Sequence, residues 1–480
     1  MIESPLPKRL VDVECLGDAD DSVRLWLNPF VTNEEESYRG PYGRYIALTY
    51  CWGTRTFTTL TPESQASMIH RIDMGDIPQT IRDAIRITRL LGIRYLWVDS
   101  LCIFQGSSAQ ALNDWMEQSQ QMANVYKNAT LTIGSETASD AYQGFQHAES
   151  SVQESFALLP STWSSSKTNS PMFVGPDGAL ALAPASKLHT RGWTFQERLL
   201  STRYITFGSG GMFWECPHGR QYDNACLDVF YYADLSPKLP EAPTFEDWHY
   251  LIEEYSRKQL TKLQDRLVAL SGLRAHFLNL RGAQDTDIAG LWRSNLSWDL
   301  LWESSRYGEN HDLISMAPSW SWASTVSKVN WSTAHFYQEK HVCHIQCVSI
   351  QNATAKGLSI GSEFKIEGRI ELSGFVSRAK SVASDPRGFG NMVIVDELDN
   401  TFYAMFDERS SYLTKVHCFP EDKKVARNIL CVQFHNNPGR IGLLVESTDE
   451  TCTEFRRIGI YRTLNETTSK STDTAVVVVV

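Results

Sequence analysis

The sequence predicts an α/β domain built on a parallel sheet, followed by a helical segment and a β-rich C-terminal module. Three observations carry this reading. Between residues 45 and 133 short apolar, β-branched runs alternate with stretches of helical spacing, the pattern of successive β-α-β crossovers. Between 244 and 305 the apolar spacing is helical throughout, as in Trp248, Leu251, Ile252 and Tyr255. From about 330 onward the texture changes to alternating β segments.

The elements follow in order. Ile46 to Tyr50 reads as a buried strand closed by Cys51-Trp52-Gly53. A helix is expected from Pro78, since proline suits a first helical position, with Ile81, Ala84, Ile85, Thr88 and Leu91 at helical spacing and Gly92 as the stop. Ile93 to Val98 is the second strand, ending at Asp99-Ser100. The next helix is expected near Asn113 or Asp114, with Glu117 placed for a capping box and Trp115, Ser119, Met122 and Tyr126 on one face. Thr130 to Ile133 is the third strand, ending in Gly134-Ser135-Glu136. Residues 145–187, rich in Ser, Thr, Pro and Gly, read as a long loop. A short helix at Trp193 to Leu200 and strands at Tyr204 to Phe207 and Met212 to Cys216 come next. Later strands are expected at Phe364 to Leu372, Met392 to Val395, Ile429 to Phe434 and Gly442 to Val445. The expected division is a domain over 1–215, a helical extension packed on it over 216–325, a β-rich module over 326–462 and a flexible tail over 463–480.

Composition narrows the function. The chain has 480 residues, 53 of them aromatic including 14 Trp, and a formal charge of −11, so disorder is excluded and nucleic acid is a disfavoured partner. No apolar run approaches the ~20 residues that span a bilayer, and Met1-Ile2-Glu3 lacks the basic, apolar start of a signal peptide, so the cytoplasm is the expected location. The 10 cysteines include no CxxC, which argues against a disulfide framework and a zinc site. Cys216-Pro-His218 and Cys343-His344-x-x-Cys347 each lack a second ligand pair, so no metal is expected. Cys102 has no local base and reads as a buried structural thiol. Gly208 to Gly211 lacks the lysine of a phosphate loop and precedes a strand, so it reads as a hairpin turn. Trp292, Trp298, Trp302, Trp320 and Trp322 read as core.

In open α/β sheets the ligand crevice lies at the carboxyl ends of the strands. Three segments therefore bring small or polar groups to one rim: Trp52/Gly53, Asp99/Ser100 and Ser135/Glu136. Asp99 reads either as a ribose-binding or basic carboxylate, or as a cap that accepts from the N–H of Leu101 or Cys102. Gln105 reads as an amide that contacts a ligand or, preferably, braces a loop.

The ordered segments YIALTYCWG (45–53), IPQTIRDAIRI (77–87), YLWVDSLCIFQ (95–105), DWMEQSQQMANVYKNATLTI (114–133) and RGWTFQERLLSTR (191–203) resemble the heterokaryon-incompatibility (HET) domain of fungal proteins over about residues 8 to 215. Family-like text continues at 265–273, 289–296 and 317–324. Thr49 and Cys51 depart from the usual serine-tyrosine pair before the tryptophan-glycine, and Phe104 stands where the family often has asparagine. The resemblance implies an effector of non-self recognition and programmed cell death. A more distant similarity is to TIR domains, some of which cleave NAD at the bond to nicotinamide. Its tryptophan and catalytic glutamate look like Trp193 and Glu197 here.

Glu197 through that similarity and Asp99 through its place on the rim are the catalytic candidates, with Trp52, Gly53, Ser100, Gln105, Ser135, Glu136, Arg191, Trp193 and Gln196 as ligand-binding candidates, and the similarity implies NAD as a substrate rather than a cofactor. The alternative for Glu197 is a brace to Arg191, Arg198 or Arg203. Two other readings stay open: a fold recruited to fungal small-molecule metabolism, and a non-catalytic adaptor that acts by self-association or through an incompatibility partner protein.

Overall fold

The computed structural model describes residues 3–14, 22–29, 41–136, 138–145, 157–159, 172–174, 186–208, 211–222, 238–282, 284–304, 317–338, 346–351, 369–384, 392–396, 401–406, 429–436, 440–448, 453–462 and 474–480. The chain divides into two compact units, one of Met1–Lys238 with Lys258–Leu260 and Val268–His276, the other of Leu239–Arg257, Thr261–Leu267 and Phe277–Val480. Most of the expected 145–187 loop, residues 364–368 of an expected strand, and the Cys343-His344 pattern lie outside the described residues.

The first unit is organised by a nine-stranded mixed sheet. Its strands are β1 (Arg9–Asp12), β2 (Ser22–Leu27), β3 (Tyr45–Thr49), β4 (Ile72–Asp73), β5 (Tyr95–Trp97), β6 (Leu131–Ser135), β7 (Tyr204–Gly208), β8 (Gly211–Cys216) and β9 (Gly219–Tyr222). They lie in the order β9-β8-β7-β6-β3-β5-β1-β2-β4. The pairs β3–β5, β3–β6 and β6–β7 are parallel, and every flanking pair is antiparallel. The purely parallel expectation therefore holds for the four central strands alone. Those strands are wholly or largely buried, as two-sided coverage requires. The sheet also runs past the expected limit at 215, because β8 and β9 extend it to Tyr222.

β3 is the first of the parallel strands in sequence, yet it sits between the second and the third. The chain thus leaves β3 toward one side and later returns to the other, which makes a topological switch point at the carboxyl ends of β3 and β6. The helices that make these crossovers are α1 (Gln79–Leu90), α2 (Ala109–Asn128) and α3 (Gly192–Leu200). α1 buries Ile81, Ala84, Ile85 and Thr88 but leaves Leu91, its C-cap, exposed, and stops at Gly92, whose φ of +62° suits glycine. α2 and α3 pack on each other, with Trp115 edge-on to Trp193 at 6.4 Å.

α2 begins earlier than its sequence suggests. Ser108, not Asn113 or Asp114, caps it, its hydroxyl accepting from the N–H of Ala111. Asp114 instead accepts from Arg9 Nη1 and Nη2 at 2.8 and 2.9 Å and from the N–H of Phe104 at 2.9 Å, while Glu117 pairs with Lys8. Burial opposes charge on Asp114, but the Arg9 hydrogen bonds outweigh it and hold the carboxyl below its usual range. The Arg9 guanidinium also lies over the Phe104 ring, 4.2 Å from its centroid.

In the second unit, helix α4 (Phe245–Ser256) opens with a true capping box between Thr244 and Asp247. The expected helical run over 244–305 is interrupted, with short turns before and after an 11-residue helix at Ser271–Arg281; Trp292, Trp302, Trp320 and Trp322 are core as expected, with Trp248 and Trp331, while Trp298 is only half-buried. The β module is an antiparallel sheet of β10 (Gln346–Gln351), β11 (Arg369–Ser384), β12 (Met392–Asp396), β13 (Thr401–Phe406), β14 (Ile429–Asn436), β15 (Arg440–Ser447) and β16 (Phe455–Arg462), joined by β17 (Thr474–Val479). The 16-residue β11 pairs with β12 and also with β14, so the hydrogen bonding returns to the strand where it began. The tail expected to be flexible is corrected here: β17 pairs with residues 370–375 of β11 and buries Val477 and Val479, because a β-branched run gains more from a ladder than from solvent.

Replacing Asp114 by Ala would leave Arg9 buried without its partner. Chemical denaturation at pH 7 should show a loss of about 3–5 kcal/mol, the cost of breaking a buried pair from one side. The wild-type contribution should be fully present above the unfolded carboxyl value near 4 and disappear as pH falls through the lower folded value.

Candidate functional site

Glu197 lies on α3, 6% exposed, and faces the end of β3. The Thr49 hydroxyl donates to its Oε2 at 2.5 Å. The Tyr126 hydroxyl on α2 donates to the Leu48 carbonyl at 3.1 Å and, from beside the Glu197 carboxyl, works to lower it. None of the three arginines considered as braces pairs with it. Arg198 pairs with Glu215 at 3.0 Å, Arg203 reaches the Thr130 carbonyl, and Arg191 Nη1 donates to the Tyr50 carbonyl at 2.8 Å. Arg191 acts on Glu197 only through its field, opposed by the negative field of Asp99. Burial dominates and pushes the Glu197 carboxyl up to about 7.

Asp99 follows the end of β5, close enough for its charge to act on Glu197. Its Oδ2 accepts from Trp52 Nε1 at 2.9 Å, and its Oδ1 from the N–H of Ser100 at 2.7 Å. The capping role expected from Leu101 and Cys102 is absent, since both of those N–H groups donate to the Val98 carbonyl. Burial raises the Asp99 carboxyl above its usual range despite the Trp52 bond. Tyr50 donates to Ser100 Oγ at 2.8 Å, and burial holds its phenol well above the usual value.

The fold thus brings together Glu197, Asp99, Ser100, Trp52 and Arg191 around the end of β3. Trp193 stands in the first turn of α3, one helical turn before Glu197 and on the same face. Gly53 has φ +77°, and a Cβ there would lie 2.2 Å from Asp140 Cβ, so it turns the chain beneath Trp52.

Other candidates are occupied elsewhere. Ser135 donates to the Gly144 carbonyl, and Glu136 pairs with His189 at 3.2 Å. Gln105 donates to the carbonyls of Asp99 and Ile103, the loop brace that was preferred. Gln196 points toward Gly272, away from Glu197, with both amide atoms buried and unpaired. Cys102 is buried, and its thiol is pushed up to about 12, which suits packing and not nucleophilic attack. Gly208 pairs with Gly211 in the β7–β8 hairpin, as its sequence implied. Among the described residues no three His, Cys, Asp or Glu side chains gather as a metal site.

Sequence reasoning missed Thr49, Tyr50 and Tyr126 as parts of this site. Their signal was available: Thr49 and Tyr50 close a buried strand at the predicted rim, and Tyr126 lies on the helix face that covers it.

Residues 45–197 match the family model described as heterokaryon incompatibility protein (HET). This stretch is a HET domain. No curated protein and no solved structure gives a match. The HET match begins at Tyr45, the first residue of β3, and ends on Glu197, the carboxylate of the candidate site. No described helix is long and apolar enough to cross a membrane.

The raised Glu197 value makes a stability prediction. The folded HET domain holds this proton more tightly than the unfolded chain, so the contribution is complete below about pH 4.5 and is lost as pH rises through about 7. In denaturation series from pH 5 to 9, wild type should lose about 3 kcal/mol relative to Glu197→Gln, which cannot ionise. A constant difference between the two proteins would contradict the assignment.

Proposed function

We propose that the HET domain is an effector of incompatibility and cell death that hydrolyses a nucleotide at the N-glycosidic bond to nicotinamide, with NAD or a relative as substrate. The observation that carries this reading is Glu197: a buried carboxylate without an ion-pair partner, held by the Thr49 hydroxyl at the switch point, with the negative charge of Asp99 acting on it. The HET match supports the incompatibility role, and the strand order of the parallel core is compatible with the remote TIR similarity.

The chemistry needs little else. The bond from ribosyl C1′ to the nicotinamide nitrogen breaks, and its electron pair neutralises the ring cation, which departs as nicotinamide. Glu197, when ionised, stabilises the positive charge that develops at C1′. Asp99 accepts from a ribose hydroxyl and fixes the sugar, while Trp52 and Trp193 supply aromatic faces. Water adds to C1′ and passes its proton to a carboxylate, giving the free ribosyl product. Arg191 favours the phosphates by its charge.

Nicotinamide release from NAD by the full chain is the test. Glu197→Gln should lower turnover at least ~100-fold, and Asp99→Asn should raise KM more than it lowers kcat. The wild-type rate should climb from pH 6 to 8 as Glu197 ionises. Full activity in Glu197→Gln would remove that residue from the chemistry. Absence of turnover by any assembled form would overturn hydrolysis, and cell toxicity that survives Glu197→Gln would favour the adaptor reading.

A further inference from the structure

The second unit contains a chain of titratable side chains with no part in the chemistry above. Asp299, at the end of the short helix α5 formed by Leu296–Asp299 that follows α4 in the second unit, is buried and accepts on every side. Its Oδ2 takes the N–H of Trp292 at 2.5 Å, and its Oδ1 takes Asn295 Nδ2 at 2.6 Å and His249 Nε2 at 2.7 Å. His249, on α4, is fully buried and stacks on Trp331 with ring centroids 4.5 Å apart and planes 3° from parallel. Its other nitrogen, Nδ1, lies 3.0 Å from His335 Nε2. His335 stands on a helix formed by Ser332–Gln338, and its remaining nitrogen, Nδ1, lies 4.0 Å from Oε1 of the exposed Glu246.

These contacts determine the tautomers. Asp299 is an acceptor, so the His249 nitrogen that faces it carries a proton. A neutral His249 then offers a lone pair at Nδ1, which His335 Nε2–H must fill. The outward His335 Nδ1 is left bare. Adding one proton there has a specific consequence. The new N–H bond forms at His335 Nδ1, the His335 Nε2–H bond breaks, and that hydrogen moves along the 3.0 Å contact to His249 Nδ1. The ring at the surface ends neutral, with its tautomer reversed. The charge ends on His249, against the Asp299 carboxylate and over the face of Trp331.

We infer that His335, His249 and Asp299 form a proton wire that takes up a proton near Glu246 and stores it as a buried imidazolium. The groups that face the wire are Glu246, Tyr250 and Glu253 from α4, and Glu303, which accepts from the N–H of Thr333 on the His335 helix. Burial and the charge of a protonated His249 hold His335 down to about 4, so a proton taken up at this end does not rest on the outer ring. The stored charge would sit on the carboxylate that positions the Trp292 backbone and Asn295, and acidification would therefore be felt in the tryptophan core of this unit.

The test is imidazole nitrogen NMR on the full chain labelled at histidine, titrated from pH 8 to 4, with His335→Gln and His249→Asn to assign signals and His335→Gln titrated as well. The expected result is one cooperative step: both His249 nitrogens become protonated, while His335 passes from the Nε2–H to the Nδ1–H tautomer. In His335→Gln, where the glutamine amide can still donate to His249, the His249 signals should lose this step. Separate titrations of the two rings, or a doubly protonated His335 beside an unchanged His249, would overturn the wire. If a variant fails to fold, the tautomer pattern of the wild type decides alone.

Discussion

A carboxylate buried without a counter-ion governs the first unit. Leaving Glu197 ionised in a dry interior would cost several kcal/mol, and leaving it wholly unsatisfied would cost more. The fold meets this with the Thr49 and Tyr126 hydroxyls and with the distant positive field of Arg191. These groups come from β3, α2 and the N-terminus of α3. Three separate crossovers must therefore close in register before the charge is tolerated. The same arrangement keeps the carboxyl near neutrality, which a direct Arg198 pair would have destroyed. Arg198 is instead held by Glu215, on the far side of α3.

Positioning follows from topology. Because β3 lies between β5 and β6, the loops after β3 and β5 part beside each other and leave Trp52 and Asp99 in contact. Gly53 permits that meeting by turning through positive φ against Asp140, where any side chain would collide. The antiparallel flanks widen the sheet and keep the Glu197 end of β3 away from exposed edges.

What the sequence made legible was the part whose signal is local. The apolar run of β3, the Pro78-to-Gly92 helix and the convergence of strand ends could all be read from spacing. The start of α2 could not, because Asp114 carries the capping residue type but is claimed by Arg9, 105 residues away. Glu197 and Asp99 were readable as candidates through motif resemblance, whereas the hydroxyls of Thr49 and Tyr126 count only once strand and helix are stacked. Ser135, Glu136 and Gln196 illustrate the reverse: adjacency to the rim in sequence, with side chains turned to Gly144, His189 and Gly272. The histidine chain was invisible, since its members are separated by 50 and 86 positions and share no motif.

The valine-rich β17 has a consequence for handling as well as for folding. A run of five consecutive valines has high β-propensity and no charge, and identical copies of such a segment stack readily into ladders between chains. In the native unit β11 occupies one edge of that segment, so the molecule's own backbone competes with every neighbouring molecule for it. Local opening of this one strand, well short of global unfolding, would release the competitor and turn an intramolecular ladder into a nucleus for aggregation.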